Sequence, residues 1–71
     1  MSRVAVVGEA RRVEGFALAG AVVLPAAERE QVLDAWRGLP EDVAIVLVTP
    51  LAADALAAVD VGSRLVVTLP A

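Results

Sequence analysis

The side chains that most often carry chemistry at neutral pH are missing from this sequence: its 71 residues include no histidine, cysteine or tyrosine, and the six basic residues are all arginine. General bases of the imidazole type, thiol nucleophiles, Schiff-base amines and most metal ligands are therefore absent. Any reaction would rest on carboxylates and arginines. Glu9, just past the first strand-like run, is the one acidic residue expected at the carboxyl edge of the sheet, where open α/β folds bind ligands. A phosphoacceptor or magnesium pocket of receiver type would need an aspartate ending the third strand and a lysine. Here that edge reads Val48-Thr49-Pro50, so Glu9 is expected instead to favour the positive N-terminus of the first helix. A phosphate-cradling loop would need clustered glycines. Gly8 is followed only by Gly15, which lies inside the helix, so the sequence predicts no catalytic residue, cofactor or metal site.

The elements that would position these residues alternate along the chain. Arg3 to Val7 is a short β-branched run closed by Gly8, which reads as a buried strand ending in a turn. From Ala10 to Ala19, Val13, Phe16 and Ala17 share one helical stripe, and Gly20 sits where helices end in a left-handed cap. Gly15 costs that helix about 1 kcal/mol against alanine, and close packing within the domain is the expected compensation. Ala21 to Leu24 predicts a second strand. Pro25 suits the first turn of a second helix, in which Val32, Leu33 and Trp36 share a face and which Gly38 and Pro40 end. That stripe assigns Trp36 to the core rather than to a binding hot spot. Val43 to Val48 lacks polar alternation, the mark of a strand buried on both faces. Pro50 opens a third helix through Ala58, Gly62 and Ser63 turn the chain, and Leu65 to Leu69 forms a fourth strand.

This alternation predicts a single α/β domain over residues 1–71 with a four-stranded parallel sheet, right-handed crossovers and the order 2-1-3-4, a three-layer flavodoxin-like or Rossmann-like arrangement. With that topology the first helix lies on one face and the other two on the opposite face. The first helix can cover only strands one and two. Strands three and four are nevertheless apolar on both sides, so one sheet face is expected to be partly uncovered. Val43, Ile45 and Leu47 with Leu65, Val67 and Leu69 alternate against Ala44, Val46 and Val48 with Val66 and Thr68, and one of these two sets is left without a helix. The first set, joined by Leu18, which lies off the main stripe of helix one, is the candidate partner-binding set. An exposed apolar patch of this kind marks an interface.

Composition points the same way. Hydrophobic residues make up 59% of the chain and charged residues 21%, more apolar surface than so short a domain hides easily. The net charge of −3 argues against a nucleic-acid partner, because such affinity comes from clustered basic residues, and only Arg11 and Arg12 form a doublet. Those two arginines suit either a solvated helix end or contact with an acidic partner. No apolar run approaches the roughly 20 residues of a membrane span, and neither a signal peptide nor direct membrane insertion is expected.

Val6-Val7-Gly8-Glu9, followed after three residues by Val13-Glu14-Gly15-Phe16-Ala17-Leu18-Ala19-Gly20, resembles the opening of the F subunit of the V-type and archaeal-type rotary ATPases. That family carries a hydrophobic strand, Gly-Asp, and a helix bearing Gly-Phe-x-Leu-Ala-Gly. Asp42 to Thr49 is similar to its third strand and Leu69-Pro70 to the end of its fourth. Glu9 stands where the family has aspartate. The resemblance assigns Gly8, Glu9, Gly15, Phe16, Leu18, Ala19 and Gly20 a mainly structural role. It implies a non-catalytic, cytoplasmic component of the rotating central stalk, peripheral to the membrane through the ATPase complex. Such a component is fastened to the coiled-coil D subunit of the stalk and supports the coupling of ATP hydrolysis or synthesis to ion transport. It also implies a short form, since family members carry a C-terminal segment beyond the fourth strand. Two alternatives stand beside it: a self-associating α/β module and a degenerate receiver-like regulatory domain.

Overall fold

A computed structural model describes residues 2–70, apart from the side chains of Leu18 and Ala19. Four strands, β1 (Arg3–Gly8), β2 (Val22–Pro25), β3 (Val43–Val48) and β4 (Leu65–Thr68), alternate with helices α1 (Ala10–Val13), α2 (Arg29–Arg37) and α3 (Pro50–Leu56). The sheet is wholly parallel, in the order β2-β1-β3-β4. This is the α/β topology the alternation predicts. The central strand β3 carries no polar residue over Val43–Val48, as expected of a strand inside a parallel sheet.

The first helix is shorter and less regular than its periodicity suggests. After the single α turn of α1, Glu14–Ala19 winds as a 3-10 helix, longer than such segments usually run. Gly15 sits at its start, where the backbone has most freedom and least helical preference. Gly20, at φ +83°, ends the segment: its N–H donates to the Ala17 carbonyl and that of Ala21 to the Phe16 carbonyl. These two bonds make a Schellman ending that suits the left-handed glycine.

Pro25 does not open α2. It ends β2, paired with Gly8, and the Ala26 N–H extends the ladder by donating to the Gly8 carbonyl at 2.7 Å. The helix begins at Arg29, where Gln31 Oε1 accepts from the N–H groups of Ala27 (2.8 Å) and Glu28 (3.2 Å). Gln31 thus satisfies donors that the helix leaves unpaired. Pro50 does take the first turn of α3, with Thr49 as its N-cap accepting from the Ala52 N–H.

The two sheet faces differ in cover. On one, α2 and α3 pack on each other and over β1 and β3. Ala5, Val7, Val46 and Val48 from the sheet meet Val32, Ala52, Ala55 and Leu56 from these helices in one buried cluster. Trp36 packs at its margin, with the Arg64 guanidinium 5.4 Å from its ring centre. Arg64 also donates to the carbonyls of Pro40 and Val43, each at 2.9 Å, and so ties the turn before β4 to the start of β3. Among the described residues the other face carries α1 and the 3-10 segment, which lie over β1 and β2.

Candidate functional site

Strand register decides which residues the second face shows. Ala5 pairs with Val46 and Val7 with Val48, all on the α2–α3 side, so the intervening residues face the other way. Val23, Val6, Leu47 and Val67 form one row across the sheet, and Val4, Ile45 and Leu65 another. Near α1 the rows are closed: Val6 and Val13 are fully buried. Toward β4 they open, with Leu65 59%, Val67 41% and Val4 36% exposed. Ile45, Leu47 and Leu69 are half-buried.

Val43 does not belong to this open set. It is 1% exposed and sits in the cluster beneath α2 and α3. Simple alternation fails because Arg3 pairs with Val43 but Val4 with Ile45, so that Ala44 is an extra residue in the β3 strand. Such a bulge shifts side-chain parity by one, which lets both Val43 and Val46 point inward. The irregularity lies beside an ion pair: Arg3 Nε and Nη2 reach Asp42 Oδ2 and Oδ1 at 2.7 and 2.9 Å. Leu18, assigned to the open face from sequence, has its side chain outside the described residues, as does Ala19.

At the carboxyl edge of the sheet, where the sequence reading places both Glu9 and Thr49, Gly8, Glu9 and Thr49 come into direct contact. Thr49 is fully buried, and its hydroxyl donates to Glu9 Oε1 while accepting from the Ala52 N–H. Gly8 lies directly beneath it, so close that a Cβ there would stand under 3.0 Å from three Thr49 side-chain atoms. The signal was present in the register, since Val7 beside Val48 places Gly8 opposite Thr49. Glu9 occupies the N-cap of α1 through its carbonyl, which accepts from the Arg12 and Val13 N–H groups, while its side chain turns to Thr49 instead of capping the helix. Arg12 in turn donates to the Pro70 carbonyl, bridging α1 to the end of β4 across the mouth of the open face. These contacts engage the one carboxylate that could have served a phosphoacceptor pocket. Among the described residues no three acidic, histidine or cysteine side chains group as metal ligands.

The Thr49 hydroxyl, then a hydrogen bond from Glu9's own backbone and, least, the Arg12 charge hold the Glu9 carboxyl below its ordinary value of 4.5 against a small opposing effect of burial. A carboxylate with a lowered folded-state pKa contributes stability that is fully present above its unfolded value and is lost as pH falls through the folded one. Glu9→Gln is therefore expected to flatten the loss of stability below about pH 4.5, read as denaturant midpoints from pH 7 to pH 3. An unchanged acid limb would contradict the Thr49–Glu9 bond. Thr49→Val keeps the shape but leaves the Ala52 N–H without its cap, and should lower stability by about 1 kcal/mol in thermal unfolding at neutral pH.

The remaining motif residues divide by role. Gly20 serves the left-handed turn and Phe16 is half-buried. Gly15 differs from expectation: a Cβ there would meet none of the described residues within 4 Å, so no close packing against them requires it. This edge and face present apolar side chains beside hydrogen-bonded polar groups. No helix among the described residues is long and apolar enough to cross a membrane. No curated protein gave a significant match to the sequence. The model of one protein family, described as ATP synthase (F/14-kDa) subunit, matches residues 4–70. That span takes in nearly all of β1 and the whole of every later element, and the chain belongs to that family, the F subunits of V-type ATP synthases.

Proposed function

We propose that this chain is a non-catalytic component of the central rotor stalk of a V-type ATPase or ATP synthase, where it binds the coiled-coil D subunit of the stalk and supports coupling between nucleotide turnover and ion transport. The observation that carries this reading is the family match over residues 4–70. Its support in the fold is a partly exposed apolar strip on β3 and β4, which no helix among the described residues packs over closely. A stalk component at the cytoplasmic face of the membrane works by being held to its partner and turning with it, which asks for an adhesive surface and not for a nucleotide pocket. Residues of the strip, Ile45, Leu47, Leu65, Val67 and Leu69, are the proposed partner contacts.

Co-expression with the coiled-coil stalk protein of the same organism tests this reading. A complex that survives purification at micromolar concentration is the expected result, with no ATP hydrolysis by this chain alone. Failure of the two to associate would remove it. The same strip also favours a second reading, self-association of the domain, which would show as a concentration-dependent dimer in the absence of any partner.

A further inference from the structure

The two edge strands of the sheet are held in different ways. Neither β2 nor β4 contributes a buried residue. Around β2, however, α1 and the 3-10 segment pack as well as β1, and Val22 and Leu24 lie against the core cluster. Among the described residues β4 has extensive contact with β3 alone. Leu65, Val67 and Thr68 are exposed, and Val66 is the one β4 side chain packed against the cluster. Backbone hydrogen bonds along one side therefore do most of the joining. Segments of this kind open locally while the rest of a domain stays folded.

Two arginines close β4 at its ends. Arg64, in the turn before the strand, donates from Nε to the Val43 carbonyl and from Nη2 to the Pro40 carbonyl, each at 2.9 Å, with its guanidinium 5.4 Å from the Trp36 ring centre. Arg12, on α1, donates to the Pro70 carbonyl just beyond the strand. The first clip sits on the strand's side and grips the domain; the second sits on the domain and grips the strand's side. Both are charge-assisted bonds to backbone carbonyls, stronger than the neutral ladder bonds between them.

We propose that β4 and the turn before it form a releasable strap: residues 62–70 leave the sheet as one unit while β1, β2, β3 and the helices stay folded, and the Arg64 and Arg12 clips set the closed population. Release takes Leu65 and Val67 away from their neighbours Ile45 and Leu47, so the apolar strip is a continuous surface only while the strap is closed. The strap does not depend on the stalk reading and is measured on the chain alone.

Native-state hydrogen exchange at single amides tests it. The Leu69 N–H donates to the Val48 carbonyl across β4 and β3, whereas the Thr49 N–H donates to the Val7 carbonyl across β3 and β1. Leu69 is expected to be about 100-fold less protected than Thr49, with a weaker dependence on denaturant, because strap release exposes less surface than global unfolding. Two classes of substitution then separate strap opening from global unfolding. Arg64→Leu and Arg12→Leu weaken the closed state alone, so each should speed both amides by about tenfold. The Val67 N–H, two residues back on the same ladder, should follow Leu69 by the same factor. Ala35→Gly, in α2, weakens the closed and the strap-open states equally. It should speed Thr49 by about fivefold and leave Leu69 unchanged. Equal protection of Leu69 and Thr49, with both answering to Ala35→Gly, would show that β4 opens only with the whole domain and would overturn the strap. A clip substitution that speeds one of Leu69 and Val67 and not the other would overturn it too, in favour of fraying from one end.

Discussion

Replacing Gly8 by alanine is expected to cost about 1–3 kcal/mol of folding stability and to lower the melting temperature by on the order of 10 °C. The added methyl would meet the Cβ, Cγ2 and Oγ1 atoms of Thr49 at once. Thr49 cannot simply rotate away, because it is fully buried and its hydroxyl caps α3 and holds Glu9. Relief must come from parting β1 and β3, the two strands at the centre of the sheet. A chain of this length has roughly 4–10 kcal/mol of stability in all, so the loss is a large share of it. Thermal unfolding of the variant checks the magnitude. Thr49→Ser removes only the Cγ2 methyl, so the double variant Gly8→Ala with Thr49→Ser should be more stable than the sum of the two single costs implies. Strict additivity would place the strain elsewhere.

The second large effect is on binding and not on stability. Leu65→Glu together with Val67→Glu puts two carboxylates on the open strip, at positions that solvent already reaches. The free chain should lose no more than about 1 kcal/mol, the span of strand propensities. Docking of an apolar partner would instead have to bury both charges unpaired, a penalty of several kcal/mol. At 1.4 kcal/mol per factor of ten, the affinity for the coiled-coil stalk protein should fall at least about 100-fold. Titration calorimetry beside thermal unfolding of the same samples separates the two quantities. A variant that melts like the original and binds as tightly would remove the strip from the interface.

The parts of this structure that follow from strong local patterns were legible in the sequence. Val43 to Val48 reads as a central strand because nothing polar interrupts it, and regular alternation of helix and strand leaves few topologies once crossovers are right-handed. The uncovered face follows from the same logic, since one helix cannot shield four strands. Pairwise details were less legible. Nothing in Asp42-Val43-Ala44-Ile45 announces a bulge, yet that one extra residue moves Val43 from the open face into the core. The 3-10 winding after Val13 reflects a balance between a weak helical sequence and the fixed turn at Gly20, which periodicity alone does not resolve. Pro25 fits a helix start as well as a strand end, and its ladder partner Gly8 decides the matter.

The candidate site divides in the same way. Glu9 was visible as the carboxylate at the sheet edge, whereas its partner Thr49 is distant in sequence and comes into contact only through the register of β1 and β3. Glycine roles were the least legible. Gly8 looked like a turn residue but is required by a buried threonine, and Gly15 looked like a packing residue but faces open space.

The association state of the chain mixed with its coiled-coil stalk partner, measured by sedimentation at micromolar concentrations, tests the docking function most directly. A single one-to-one complex is expected in the mixture, and a monomer when the chain is alone. A chain that stays monomeric in the mixture, or that pairs with itself and ignores the stalk protein, would contradict a docking role on the stalk.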